Sequence, residues 1–328
     1  MKAVVERWKS AVVHLECAGD SEPLEAAIKK IKDQSAGFDR GEIAVDELMA
    51  NSGKGSRDVR SQGTALFLIH EGRRYLLTAR HVVFDPLDAK REIDDDARRN
   101  MFQSEEQRSI SSPYAKRNAA DCISKIIFRV SSLNEVVAGG RGNAFLMNLK
   151  AGHAESRPYV FTGEDLDLAL ISLDRNDARF ADELLVRGFS PIDFSYVDAG
   201  PLYEGQDVFT VGFPGPTAPI GTMNLSLPER NWASETCSLP VSSFGKVAMT
   251  HDLLNYFWAD MSIYPGNSGG PTIADGRLVG VVVGNAKLAI DQVPDVWTRI
   301  PFAKVIKTGP VFAMLEELIR RDKPYLGY

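Results

Sequence analysis

Cysteine is scarce in this chain of 328 residues: Cys17, Cys122 and Cys237 stand far apart and are odd in number. That pattern excludes a disulfide framework and fits a reducing compartment, with each thiol read as a small buried apolar group. Long apolar runs are missing too. Ala11-Val12-Val13 is too short for a signal peptide, and no stretch approaches the length that spans a bilayer. A cytoplasmic chain with no membrane partner is expected. There is also no cationic stripe, because basic residues are scattered among acidic ones in a chain of formal net charge −6. That leaves no electrostatic footprint for nucleic acid. Histidine is limited to His14, His70, His81, His153 and His251, with no metal-ligand spacing among them, so neither metal nor cofactor is expected.

What remains is ordinary globular composition, 44% hydrophobic and 25% charged, in a chain long enough to bury a substantial core. Short strand-forming runs dominate. Val12 to Glu16 alternates as a first strand, and Thr64–Ile69 and Tyr75–Ala79 form a hairpin around Glu71-Gly72-Arg73-Arg74. Further strands are read at 126–130, 144–147, 165–171, 208–212, 245–249, 256–259, 271–273, 277–283 and 296–300, with an Ala274-Asp275-Gly276 turn. Helical periodicity enters in two places. Leu24, Ala27, Ile28 and Ile31 share a face within an insertion of about 20–58, and Val311, Met314, Leu315, Leu318 and Ile319 share one in a terminal helix of about 308–322. The segment Asn51 to Gln62 reads as a loop, and the charged stretch of about 85–120 as a solvated insertion with partial helix. The pattern predicts an all-β chain.

The densest chemistry lies in Tyr264-Pro265-Gly266-Asn267-Ser268-Gly269-Gly270-Pro271, one hydroxyl nucleophile in a run with almost no side chains. Its Gly-x-Ser-x-Gly spacing also satisfies the nucleophile elbow of α/β-hydrolases. In that class the histidine follows the serine in the chain, whereas all five histidines here precede Ser268. The elbow reading fails, and the absence of alternating helices agrees.

The order His81, Asp167, Ser268 is instead that of chymotrypsin-type proteases. Gly63-Thr64-Ala65 with Leu77-Thr78-Ala79-Arg80-His81-Val82, then Asp167-Leu168-Ala169-Leu170, then Gly266-Asn267-Ser268-Gly269-Gly270-Pro271 together resemble the trypsin-like serine peptidases, with asparagine before the serine as in many bacterial and HtrA-like members. Leu278–Val282 and 294–299 resemble the two strands after the serine, so the likeness covers about 60–310. The resemblance implies a double β-barrel of chymotrypsin type within one peptidase domain, 1–328. The first barrel is placed at about 10–195 and the second at about 196–305, followed by the C-terminal helix. It implies Ser268 as nucleophile, His81 as general base and acid, Asp167 as the orienting acid, and the N–H groups of Gly266 and Ser268 as an oxyanion hole, typically worth about 2.7–4 kcal/mol per donor. Asp165 is the rival for the acid role. His70 is read as structural.

By family position Ser262, Pro265, Val283 and Asn285 line the primary pocket, with Ser262 near its base. Asp295 has two readings: a carboxylate at the pocket base favouring Arg or Lys, or an exposed turn residue. Members activated by proteolysis carry an aspartate where this chain has Asn267, so no N-terminal cleavage is expected to be needed to build the site. The expected activity is endoproteolysis of a protein or peptide substrate held partly as an extended strand. Two alternatives stand beside it: a catalytically silent binding module on the same fold, and a protease controlled by a regulatory protein partner docking on the insertions.

Overall fold

The structure, a computed structural model, describes all residues but 20–21, 43, 45, 47–57, 103, 130–143, 150–155, 176–178, 223, 227–231, 290–296 and 327–328. The β-branched and aromatic runs form strands that pack at one seam. In the N-terminal half these are β1 (Val12–Gly19), β2 (Asp58–His70), β3 (Arg73–Ala79), β4 (Lys125–Arg129), β5 (Ala144–Met147), β6 (Tyr159–Phe161) and β7 (Leu168–Ser172). They pair antiparallel in the order β5-β4-β1-β2-β3-β7-β6, and the two-residue β8 (Ile192–Asp193) runs parallel to β2. Among the described residues this curved sheet stays open, a half-barrel.

The C-terminal half closes. After β9 (Asp207–Gly212) comes a separate ribbon of β10 (Pro219–Thr222) and β11 (Thr236–Ser238). Then β12 (Val241–Met249), β13 (Tyr256–Asp260), β14 (Pro271–Ala274), β15 (Arg277–Ala289) and β16 (Trp297–Lys307) complete a six-stranded barrel with β9. Asp275 and Gly276, at φ 49° and 78°, supply the two left-handed residues that a tight β14–β15 hairpin requires. The second barrel has its own core, with Phe257, Met261, Val282 and Val305 at its centre. A larger core runs across the seam, where Leu15, Phe67, Leu77 and Leu170 of the first sheet join Val211, Ile273 and Val281 of the second barrel. Burying each such side chain contributes about 1.5–3 kcal/mol, so the two halves are bound by apolar contact rather than by a linker.

Seven helices are described: α1 (Lys2–Lys9), α2 (Glu22–Asp39), α3 (Arg80–Val83), α4 (Pro86–Asn100), α5 (Glu105–Ala120), α6 (Arg179–Val186) and α7 (Gly309–Leu326). The insertion after β1 is helical as expected, but β2 begins at Asp58, so the last residues read as loop are strand. The charged stretch is more helical than its composition predicts. Asp85 caps α4 by accepting from the N–H groups of Leu87 and Asp88, with Pro86 at the first helical position, and Ser104 and Gln107 form a capping box on α5. The short β6, β10 and β11 escape the sequence pattern, and so do two helices. Helix α1 inserts fully buried Trp8, and α6 buries Phe180, Ala181 and Leu184.

Helix α7 packs on the first sheet rather than on the barrel it follows. The Arg175 guanidinium meets Asp322 of α7 at 3.2 Å, both side chains essentially unexposed, while Tyr325 covers the guanidinium at 3.9 Å. Burial pushes the Asp322 carboxyl above the usual carboxylate range, against the opposing pull of Ser172 and Arg175. Removing one partner strands a buried charge. Asp322→Ala is expected to lower unfolding free energy by about 3–5 kcal/mol, whereas Arg175→Met with Asp322→Leu is expected to be neutral or stabilising by about 1–4 kcal/mol. Denaturant unfolding of the three proteins checks this. Equal losses in the single and double variants would show that packing, not the stranded charge, sets the cost.

Candidate active site

Strand β3 ends in buried Leu76, Leu77 and Ala79 and turns directly into the single helical turn α3. Val82 and Val83 are buried beneath that turn, which leaves His81 at the surface with its side chain 48% exposed. The loop before β7 comes up beside it. Asp167 sits in the left-handed region at φ 50°, with its N–H donating to the Gly163 carbonyl at 3.0 Å and its carbonyl accepting from the Arg80 N–H at 2.9 Å. Aspartate is one of the few residues besides glycine that tolerate this conformation, and here it turns the carboxylate toward α3. Oδ1 accepts from the His81 backbone N–H at 2.8 Å and Oδ2 meets His81 Nδ1 at 2.5 Å. A carboxylate only accepts, so this contact favours the tautomer with its hydrogen on Nδ1, in which Nε2 presents the lone pair. Asp165 is exposed, and the carboxylate on His81 is that of Asp167.

Arg80 secures the same corner from behind. Its buried guanidinium donates to the Ala120 carbonyl at 3.0 Å, lies 3.5 Å from Glu164 and stacks 4.5 Å over Phe84. It ties α3 at once to the end of α5 and to the loop that carries Asp167.

The serine loop, between β13 and β14, is held peptide by peptide. Asn267 is nearly buried, and its Oδ1 accepts from the Tyr264 N–H at 3.1 Å while its own N–H donates to the Tyr264 carbonyl at 3.0 Å. Gly266 has φ +102°, and a Cβ there would stand 2.1 Å from the Phe213 carbonyl oxygen. Gly269 has φ +86°, and its Cβ would stand 2.0 Å from the Thr64 carbonyl oxygen. Both positions need glycine on conformation and on space. The Pro265 carbonyl accepts from Gly215, and Gly269 and Gly270 bond with Val282 of β15. Two N–H groups are left over. Among the described residues neither that of Gly266 nor that of Ser268 has an acceptor, and the Ser268 hydroxyl and His81 Nε2 make no hydrogen bond.

Thr64 joins the halves. Its N–H donates to the Ser268 carbonyl at 2.8 Å, its Oγ1 donates to the Gly266 carbonyl at 2.7 Å and accepts from the Phe213 N–H at 3.0 Å, and its carbonyl accepts from Thr78 Oγ1 at 2.6 Å. The serine loop therefore lies against the strands that deliver His81. A Cβ on Gly269 would come within 3.0 Å of the Ala79 nitrogen, and one on Gly63 within 2.5 Å of Val82 and 3.0 Å of the Ser268 carbonyl.

The expected pocket residues separate. Ser262 and Pro265 are exposed, and the Ser262 carbonyl accepts from Ser243 Oγ at 2.6 Å. Val283 is almost buried, whereas Asn285 reaches back to donate to the Ile263 carbonyl at 3.1 Å, a polar rung between β15 and the chain leading to Ser268. Asp295 and His153 lie outside the described residues. His14 packs on Phe213, His70 on Phe194, and His251 accepts from the Leu253 N–H. The three cysteines are free and buried, and burial pushes the Cys17 thiol up to about 12, far from a thiolate nucleophile.

Sequence reasoning missed the work of Thr64 and Arg80. Both sit in the motifs that drew attention to His81, but the Thr64 partner Gly266 is 202 residues away, so only the fold reveals the contact. Thr64→Val keeps the shape and removes both side-chain bonds. It should destabilise the protein by about 1–3 kcal/mol and loosen the serine loop, read as earlier hydrogen exchange at 266–270 than at the β2–β3 hairpin. Unchanged exchange in the loop would refute its anchoring role.

A search of curated proteins finds no match to the chain. A family model described as the trypsin-like peptidase domain matches residues 63–281, more than half of the chain. That span opens at Gly63 beneath the serine loop, closes in β15, and contains the His81 turn, the Asp167 loop and Ser268. The matched span, the closed barrel facing a half-barrel and the site at their seam agree: the chain belongs to the trypsin-like peptidase family.

Proposed function

We propose that the protein is a serine endopeptidase that cleaves protein substrates through an acyl-enzyme. The observation that supports this reading best is the two-point contact of Asp167 with His81, which faces a serine loop whose Gly266 and Ser268 N–H groups have no other partner among the described residues. Ser268 Oγ attacks the scissile carbonyl carbon as its proton passes to His81 Nε2, and the oxyanion accepts hydrogen bonds from the Gly266 and Ser268 N–H groups. The tetrahedral adduct collapses as His81 gives that proton to the leaving amine. Water, deprotonated by the same nitrogen, then releases the acid. Asp167 orients the His81 ring and steadies the imidazolium each time it forms.

The acyl half of the substrate lies along β15. Val282 bonds to Gly269 and Gly270, so the edge of β15 begins at the serine loop, where an extended peptide can add as a further antiparallel strand. Val283 and Asn285 then form one wall of the primary pocket and Ser262 to Pro265 the other. Free, buried cysteines suit a cytoplasmic location, and no helix among the described residues is long and apolar enough to cross a membrane.

Asn267 makes the loop self-supporting. Its side chain orders the Tyr264 turn with a neutral hydrogen bond, so no new charged N-terminus is called for. The intact chain is expected to be active as synthesised. Asn267→Ala is expected to lower kcat by roughly three- to tenfold, the worth of one part-buried hydrogen bond, with a small change in KM. Activity that appears only after N-terminal cleavage would overturn this. The peptidase reading itself is tested by mapping new peptide termini in a proteome digested with the wild type or with Ser268→Ala. A consistent set of cuts made by the first and missing from the second is expected; identical digests would refute it.

A further inference from the structure

The longest strand pair of the second barrel runs past the barrel. β15 and β16 remain paired out to Lys287↔Arg299, Leu288↔Thr298 and Ala289↔Trp297, whereas β14 leaves β15 at Pro271↔Val281. From Val283 onward β15 is thus paired on one side only among the described residues. Its open edge continues the one on which Val282 meets the serine loop.

Among the described residues of this arm, 283–289 and 297–302, both charges are positive. Lys287 and Arg299 are exposed and directly opposite each other, an arrangement that costs stability in an antiparallel ladder. Neither has a carboxylate partner among the described residues. Alternation places Ala289 and Trp297 on the same face of the arm as Lys287 and Arg299, and Trp297 is 61% exposed. Two cations with no carboxylate partner among the described residues, and an exposed indole, therefore share one face of an open strand edge that begins at the serine loop.

We propose that this arm is an extended recognition site for acidic side chains upstream of the cleaved bond; the inference rests on the peptidase reading. His81 hands its proton to the leaving amine, so the leaving half lies toward the first sheet and the acyl half runs outward along β15. An added antiparallel strand sets one residue opposite each β15 residue, which brings Lys287 level with a substrate residue roughly four to six positions before the scissile bond. A side chain there stands on the face of Lys287 and Arg299, where Asp or Glu gains two partners and Lys or Arg meets like charge.

The test takes a peptide that the full chain cleaves and places Glu, Gln or Lys at those upstream positions. The Glu peptide is expected to show kcat/KM roughly three- to tenfold above the Gln peptide, the range that two exposed ion pairs supply. The gain should shrink in about 0.5 M salt. Lys287→Ala with Arg299→Ala should erase it while leaving the Gln peptide's kcat/KM unchanged. Lys287→Glu with Arg299→Glu should turn the preference toward the Lys peptide. Equal rates for Glu and Gln, or a preference that survives the double alanine variant, would overturn the proposal. Binding of the same fluorescent peptides to Ser268→Ala reads the preference without cleavage. Peptides bound with the acidic preference but never cut by the wild type would sink the peptidase reading alone, and peptides cut without preference would sink this inference alone.

Discussion

The site depends on one buried threonine that holds the two halves in register. Thr64 belongs to the first sheet, yet its side chain is hydrogen-bonded to Gly266 and Phe213 of the second barrel and its N–H to the carbonyl of Ser268. A loop rich in glycine gains no order from its own side chains, so it must be fixed from outside. Thr64, Val282 and Gly215 take up the neighbouring carbonyls and amides. Among the described residues the N–H groups of Gly266 and Ser268 have no acceptor.

The same fixing explains why the site lies at the seam rather than inside either half. His81 and Asp167 come from the first sheet, Ser268 from the second barrel, and the apolar core that runs between them sets their separation. Arg80 braces the histidine turn and the aspartate loop together, and Asn267 braces the serine loop from within. The helices decorate this frame. α7 returns to the first sheet through the Arg175–Asp322 pair, which adds a second tie between the chain's end and its N-terminal half.

The candidate site residues could be read from the sequence because their signals are local. Thr-Ala-Arg-His, Asp-Leu-Ala-Leu and Gly-Asn-Ser-Gly-Gly each name a residue type beside its strand or turn, and the order of the three excluded the elbow class. The choice of Asp167 over Asp165 was weaker in sequence, since both open the same alternating run; the left-handed φ of Asp167 and its bond to the His81 N–H separate them. The Thr64 contact was illegible because its partners are distant in the chain. Helix α1 was missed because its one deeply buried side chain, Trp8, makes too slight a stripe to read.

The most direct test of a serine site built without processing is the intact mass of the untrimmed chain after exposure to a fluorophosphonate. A single adduct, mapped to Ser268 and formed at full N-terminal length, is the expected result. A chain that stays unlabelled until its N-terminus is cut, or an adduct on any other residue, would contradict the preformed site.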